Sequence, residues 1–127
     1  MRALVVDDSP VLRSLIRDVL VSKGYEVLEA TDGVDAIAKI EAFGPDLLVT
    51  DLAMPCMNGI QLVAAVRTHP RFERMPVLVV TSEAAEAVPE ASFDAGANAF
   101  LEKPFSLDSL EAAIDRLMLP APIETGD

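Results

Sequence analysis

Five short apolar runs, separated by segments in which apolar residues recur at helical spacing, constrain the fold of this chain more than any other feature. The runs "DLLVT" and "PVLVVT" are apolar on both faces, which is typical of central strands in a parallel sheet. Strands that alternate with helices predict an α/β domain, with a doubly wound five-stranded parallel sheet and helices on both of its faces. The predicted strands are residues 3–6, 25–30, 46–50, 76–81 and 99–103.

Capping residues locate the helices between these strands. Ser9 suits the N-cap of the first helix and Pro10 its first position, where the missing N–H of proline has no intrahelical partner to lose. The second helix should begin near Thr31 or Asp32, a third should follow "MNG", and Ser106 should cap the last. The tail "PAPIETGD", residues 120–127, is too short and polar to add an element, so residues 1–119 form the predicted domain.

The composition excludes several classes of protein. No apolar run approaches the roughly 20 residues of a membrane span, and no signal peptide precedes the first strand, so we expect a cytoplasmic protein with no membrane partner. Cys56 and His69 are the only residues of their kinds, which disfavours disulfides, a His-rich metal site and a nucleophile with a histidine base.

The negative charge is concentrated in the C-terminal part. The chain has a formal net charge of −11, and residues 82–127 hold only Lys103 and Arg116 against ten acidic side chains. Clustered lysine and arginine are needed to bind phosphate backbones, so direct binding of nucleic acid is not expected. A solubilising surface explains this charge, and so does a docking face for a basic protein partner.

Polar side chains stand where four of the predicted strands end. Asp7 and Asp8 follow the first strand and Asp51 the third, while Thr81 and Lys103 end the fourth and fifth. In open α/β sheets the ligand site lies at the carboxyl ends of the strands. We therefore expect three acids, a hydroxyl and an amine to converge on one edge of the sheet.

These residue types together favour phosphoryl chemistry. Carboxylates without histidine or cysteine are ligands that suit Mg²⁺ or Mn²⁺ rather than zinc. A metal ion, an ammonium group and a hydroxyl donor can stabilise a phosphoryl group during its transfer. No glycine-rich nucleotide loop is present, so a bound nucleotide is not the expected donor, whereas an aspartate can accept the group as an acyl phosphate.

The chain resembles the receiver domain of bacterial response regulators, and is similar to the single-domain chemotaxis type. The resemblance rests on "VVDDS", "DLAMPCMNG", "TS" after "VLVV", "AGANAFLEKPF" and the spacings between them, and it covers residues 2 to about 119. It implies the flavodoxin-like strand order 2-1-3-4-5 and a role in two-component signal transduction.

The resemblance implies a role for each acid at the predicted edge. Asp51 matches the phosphoacceptor, which takes a phosphoryl group from a phosphohistidine on a sensor histidine kinase or phosphotransfer protein. Asp8 and Asp51 match direct Mg²⁺ ligands, and Asp7 matches a ligand that acts through water. Ala53 matches the residue that contributes its backbone carbonyl to the metal.

Other matched positions concern the phosphoryl group and the switch. Lys103 matches the residue that contacts the phosphoryl oxygens, and Lys103–Pro104 matches a cis peptide bond. Thr81 and Phe100 match the switch pair, whose movement changes the surface formed by helix 4, strand 5 and helix 5. The resemblance thus implies a phosphoacceptor switch, with at most slow self-dephosphorylation, rather than a turnover enzyme. A downstream protein target with a basic docking surface, and a monomer or weak dimer, are the expected partner and assembly.

The chain departs from the family pattern at two places. Pro89 falls where the family has helix 4, so we predict a short helix that begins at or just before Pro89 and a loosened segment over residues 83–88. Ala53 and Glu83 occupy positions that tune hydrolysis of the phosphoryl group in the family. Since only Glu83 could orient a water, the lifetime of the phosphorylated form stays open.

Four alternatives remain. The chain could be a receiver-like interaction module without phosphorylation, or a receiver cut from a larger regulator with an output domain. A phosphatase of the haloacid-dehalogenase kind needs an acid two residues after its nucleophile, where Ser9 and Ala53 stand here. A flavin carrier would need a hydroxyl-rich phosphate loop after the first strand.

Overall fold

The computed structural model describes residues 1–52, 57–82 and 88–118. Its five strands form one parallel sheet in the order β2-β1-β3-β4-β5, which confirms the fold class and the strand order that the resemblance implied. Each predicted strand agrees with the structure to within one residue at either end. The strands are β1 (Arg2–Val6), β2 (Glu26–Ala30), β3 (Leu47–Thr50), β4 (Val77–Thr81) and β5 (Ala99–Glu102).

The helices begin at the predicted caps. The Ser9 Oγ accepts a hydrogen bond from the Leu12 N–H at 3.4 Å, and the Ser106 Oγ accepts one from the Ser109 N–H at 3.0 Å. The helices are α1 (Pro10–Ser22), α2 (Gly33–Phe43), α3 (Gly59–Arg67), α4 (Val88–Ala95) and α5 (Leu107–Leu117), with a 3₁₀ turn at Pro70–Phe72. None of the helices in the described ranges combines the length and apolar character that a membrane crossing needs.

Helix α4 is short and begins at Val88, with Pro89 in its second position, as predicted. Proline is tolerated there because the first four N–H groups of a helix have no intrahelical acceptor. Residues 83–87, which were expected to be loosened together with Val88, lie outside the described residues.

Two apolar layers bury the sheet on both faces. Along β1, Leu4 and Val6 point into the layer shared with α2 and α3, whereas Ala3 and Val5 point into the layer shared with α1 and α5. All four side chains are at most 1% exposed. Because every strand is parallel, the carboxyl ends of β1, β3, β4 and β5 all lie at the same edge, where the predicted polar residues stand.

Arg67 ties the end of α3 to the turn between α4 and β5. Its Nε and Nη2 donate to the Gly96 carbonyl at 3.1 and 2.8 Å, and its Nη1 donates to the Phe72 carbonyl at 2.9 Å. Nη2 also lies 2.9 Å from the Asn98 Oδ1. Gly96 has a φ of +117°, so the turn itself favours glycine. These bonds fix the C-terminal end of α4 against the neighbouring layer.

Gly59 allows α3 to approach the end of β3 closely. A Cβ at this position would overlap the Asp51 carbonyl oxygen and would lie 2.9 Å from the Leu52 Cα. The Gly59 N–H donates to the Leu52 carbonyl at 3.0 Å. The absence of a side chain at Gly59 therefore helps to set the backbone position of Asp51.

Gly59→Ala should destabilise the protein by about 1–3 kcal/mol, because backbone atoms must move to admit the methyl group. Thermal unfolding measures the loss, and the amide chemical shifts of Asp51 and Leu52 should change. Gly24→Ala is the control. It too adds a methyl group, at a φ of +93°, but no atom lies within 4 Å of the added Cβ. Gly24 precedes β2 at the opposite edge of the sheet, so this variant should leave the Asp51 shifts unchanged. Unchanged Asp51 shifts in Gly59→Ala would contradict this account.

Candidate functional site

The strand ladder brings Asp7 and Asp51 side by side. Val6 and Thr50 are the last paired residues of β1 and β3, so the two acids come next on adjacent strands. The Asp51 N–H donates to the Val6 carbonyl at 2.9 Å, and the Asp7 N–H donates to the Ala30 carbonyl at 3.2 Å. The backbone therefore fixes where both acids begin.

Three carboxylates meet at this edge of the sheet, as the sequence predicted. Oxygen atoms of Asp7, Asp8 and Asp51 all lie within 4.8 Å of one another. Asp7 is 1% exposed and Asp51 is 6% exposed, whereas Asp8 is exposed. Two acids thus form the floor of the cleft, and the third faces solvent at its mouth.

Lys103 supplies a positive charge to both buried acids. Its Nζ lies 3.0 Å from the Asp7 Oδ2 and 3.3 Å from the Asp51 Oδ2. The Lys103 N–H donates to the Thr81 carbonyl at 2.8 Å, which holds the end of β5 against the end of β4. The Lys103–Pro104 peptide bond is cis, as the resemblance implied.

Backbone N–H groups also contact the buried acids. The Ser9 N–H donates to the Asp7 Oδ1 at 2.8 Å, and the Leu52 N–H donates to the Asp51 Oδ1 at 2.7 Å. Burial raises the pKa of Asp7 above its ordinary value, although the Ser9 N–H and Lys103 act in the opposite direction. Desolvation of the Asp7 charge thus outweighs its favourable contacts.

The two predicted switch residues lie on neighbouring strands and on the same face of the sheet. Thr81 pairs with Glu102 and Val79 pairs with Phe100, and side chains two residues apart on a strand share a face. Thr81 is fully buried, and Phe100 is half-buried against the layer that contains Val79. Ala53 and Glu83, which were singled out from the sequence, lie outside the described residues.

An apolar cavity of about 360 Å³ opens beside Lys103. Leu12 and Leu15, which the helical pattern placed on the buried face of α1, are only half-buried because they line this cavity rather than the core. The cleft is therefore flanked by apolar surface on the side of α1. The other residues that line the cavity are Ser82, Pro104 and Phe105.

Sequence reasoning missed one residue beside the acidic pair. Arg13, on α1, donates from its Nη1 to the Asp7 carbonyl at 2.7 Å, and its Nε lies 3.0 Å from the Glu29 Oε1. Arg13 lies one helical turn beyond the Ser9 cap, so its position on the helix was the available signal. Its partners could not be read from that spacing.

The comparisons with known proteins agree with this geometry. The family model described as "Response regulator receiver domain" matches residues 3–115. This chain belongs to the response regulator receiver family. The chemotaxis protein CheY1 of Helicobacter pylori is 40% identical over 117 residues, which cover 91% of this chain and 94% of that protein.

Solved structures give the same result. The chemotaxis response regulator CheY4 of Vibrio cholerae superposes with a TM-score of 0.87 at 33% identity, covering 92% of this chain and 98% of that one. The receiver domain of a sensor histidine kinase from Pseudomonas aeruginosa has a TM-score of 0.82 at 29% identity and covers 91% of this chain and 95% of its own. That receiver has a magnesium ion coordinated in its active-site cleft.

The acidic cluster of this receiver is compatible with magnesium binding. Its three carboxylates are hard oxygen ligands, and the exposed Asp8 leaves the cleft open to solvent. The charges of Asp7 and Asp51 are already close enough to share one ammonium group. Like charges at this spacing favour the entry of a cation.

In the absence of divalent cations, Asp7→Asn should raise the melting temperature at neutral pH, because it removes a buried charge. The folded-state pKa of Asp7 is raised, so its stabilisation is complete below the unfolded value of 3.8 and is lost as pH rises through the folded pKa. The gain from Asp7→Asn should therefore grow as pH rises from about 4. Thermal unfolding in EDTA across this range measures it.

Asp8→Asn is the matched control, because the Asp8 side chain is exposed and its replacement removes no buried charge. An equal gain in both variants, or a gain from Asp7→Asn that shrinks with rising pH, would contradict the assignment of this cost to burial.

Proposed function

We propose that this receiver accepts a phosphoryl group on Asp51 from a phosphohistidine of a sensor histidine kinase or phosphotransfer protein. The observation that supports the proposal best is the shared contact of the Lys103 Nζ with Asp7 and Asp51 at the open cleft. With Asp51 as the acceptor, this arrangement would offer an incoming phosphoryl group a carboxylate and a positive charge at one point, and it needs both.

In the proposed step, an Asp51 carboxylate oxygen forms a bond to phosphorus as the N–P bond of the phosphohistidine breaks. The donor imidazole leaves with the electron pair of that bond, and an acyl phosphate remains on Asp51. Lys103 lies beside Asp51, where it can contact the phosphoryl oxygens as their charge arrives. The Leu52 N–H keeps the other Asp51 oxygen in place.

Mg²⁺ is the proposed cofactor, with Mn²⁺ as a substitute. Asp8 and Asp51 would hold it directly and Asp7 through water, together with the carbonyl of Ala53, which lies outside the described residues. When bound, the ion would polarise the phosphoryl oxygens and offset their negative charge. Because the Ser9 N–H holds the Oδ1 of Asp7, the Asp7 carboxylate would face the ion in one orientation.

The phosphoryl group is proposed to act through Thr81 and Phe100. Thr81 ends β4 next to Lys103, and Phe100 lies diagonally across on β5, on the same face of the sheet. A turn of the Thr81 hydroxyl toward the phosphoryl group would open space for the Phe100 ring, which is half-buried. Such a movement would alter the surface of α4, β5 and α5 without any further chemistry. We propose a switch of this kind, with at most slow self-dephosphorylation, rather than a turnover enzyme.

The proposed output partner is a protein with a basic docking surface. Residues 88–118, which contain α4, β5 and α5, carry six acidic side chains against Lys103 and Arg116. Since Lys103 lies in the cleft with only 12% of its side chain exposed, it adds little positive charge to this face. Charge complementarity would steer such a partner to the surface formed by α4, β5 and α5.

Asp51→Asn should abolish acyl-phosphate formation. Wild-type protein incubated with acetyl phosphate and Mg²⁺ should gain the mass of one phosphoryl group, and the variant should gain none, because an amide cannot form the acyl phosphate. Intact-protein mass spectrometry reads the difference directly.

Asp46→Asn, which removes an acid just before β3 at the opposite edge of the sheet, is the control and should be phosphorylated like the wild type. An undiminished mass gain in Asp51→Asn would move the acceptor elsewhere. No gain in the wild type would favour a receiver-like module without phosphorylation.

Binding of the output partner should weaken as salt is raised from about 0.05 to 0.5 M, because mobile ions screen exposed charges. The partner can be captured on immobilised receiver with and without a beryllium fluoride mimic of the phosphoryl group, and quantified by mass spectrometry. Neutralising the exposed Glu90 of α4 and Glu111 of α5 should reduce capture, while neutralising Glu41 and Glu73, outside the α4–β5–α5 segment, should not. Capture that is insensitive to salt would contradict a charged docking face.

A further inference from the structure

Arg13 holds the turn that carries the acidic pair. Its guanidinium donates from Nη1 to the Asp7 carbonyl at 2.7 Å, and this carbonyl belongs to the peptide group that joins Asp7 to Asp8. The Arg13 side chain is 17% exposed, so the bond is largely shielded from water. The planar guanidinium can direct two N–H groups at once, because its geometry is fixed.

The two N–H donors of the Arg13 guanidinium, Nη1 and Nε, form a fork, and the Nε end of this fork is anchored on β2. Its Nε lies 3.0 Å from the Glu29 Oε1, and the Glu29 carbonyl accepts a hydrogen bond from the Lys39 Nζ at 2.7 Å. Arg17 binds the second oxygen of the same carboxylate at 3.2 Å. Glu29 is therefore held by three basic side chains, and it presents a fixed acceptor to Arg13.

The side chain of Asp8 depends on this turn for its position more than the side chain of Asp7 does. Asp7 is positioned through its side chain by Ser9 and Lys103, whereas within the described part of the chain the exposed Asp8 carboxylate accepts no hydrogen bond. The direction of the Asp8 side chain is thus set by its backbone, and the peptide plane before it is held by Arg13.

We propose that Arg13 is a positioning residue for the metal site: its fork, anchored on Glu29, fixes the Asp7–Asp8 peptide so that Asp8 faces the cation. This inference rests on the proposed function, because it assigns to Asp8 the role of a metal ligand. Arg13 touches neither the reacting carboxylate of Asp51 nor the phosphoryl group, so its effect passes through Asp8.

The sign of the change in Mg²⁺ affinity separates positioning from electrostatics. Arg13 is a cation close to a cluster of acids, and its removal by charge alone would strengthen the binding of another cation. Loss of positioning would weaken it, because outer-shell groups that orient metal ligands typically contribute tenfold or more to affinity.

The experiment compares Mg²⁺ binding by wild type, Arg13→Ala, Arg13→Lys and Arg17→Ala. Isothermal titration calorimetry with MgCl₂ gives the affinities, and thermal unfolding in EDTA gives the stabilities. Arg17→Ala is the matched control, since Arg17 lies one turn further along α1 and pairs with the same Glu29 but makes no bond to the Asp7–Asp8 turn. Amide hydrogen exchange of Asp8 and Ser9 in EDTA reports on the turn without any metal.

Arg13→Ala should weaken Mg²⁺ binding about tenfold and speed exchange at the Ser9 N–H, which donates to the Asp7 Oδ1, while Arg17→Ala should stay within about twofold of the wild type. Arg13→Lys tests the same point if the alanine variant does not fold: it keeps the charge and loses the fork, so it too should bind Mg²⁺ more weakly.

Three results would overturn the inference: tighter or unchanged Mg²⁺ binding in the Arg13 variants, an equal loss in Arg17→Ala, or unchanged exchange at the Ser9 N–H in a folded variant. A wild-type chain that binds no Mg²⁺ would overturn the proposed cofactor as well. Normal Mg²⁺ binding by the wild type together with normal binding by the Arg13 variants would overturn this inference alone.

Discussion

Two buried carboxylates that share one ammonium group are the costly interaction that the rest of this structure has to support. The parallel register of β1 and β3 places Asp7 and Asp51 on adjacent strand ends, and β5 brings Lys103 between them. Burial raises the pKa of Asp7, and the like charge of Asp51 beside it adds to that rise. The two apolar layers of the sheet supply the stability that tolerates such a site, which is why the acids stand at the end of fully buried strands.

Much of this arrangement could be predicted from the sequence, because its causes are local. Apolar runs and helical spacing place each element, and Ser9, Asp32 and Ser106 cap helices through bonds that span three residues. The rule that ligand sites lie at the carboxyl ends of parallel strands then converts strand ends into a site. The short α4 followed from Pro89 together with the place that the family resemblance gives to helix 4, since proline is tolerated in the first turn of a helix.

The remainder depends on side chains that meet across long stretches of chain. Arg13 and Glu29 are 16 residues apart, and no spacing rule joins a helix residue to an edge strand. Leu12 and Leu15 satisfied the helical pattern of a buried face, yet they line a cavity together with Pro104 and Phe105 of the loop after β5. Such outcomes depend on how loops pack, which local patterns do not encode.

The hydrogen bonds of Arg67 restrict how α4 can rearrange. Its guanidinium bonds the Gly96 carbonyl twice and the Phe72 carbonyl once, so sliding the end of α4 along the sheet would break both bonds to Gly96, while the bond to the 3₁₀ turn would stay with α3. A rotation of α4 about Gly96 would disturb these bonds less, because the pivot is the residue that they hold and glycine adopts a wide range of backbone angles. The C-terminal end of α4 is thus the anchored end of the helix, so a change in the direction of α4 would start from Gly96.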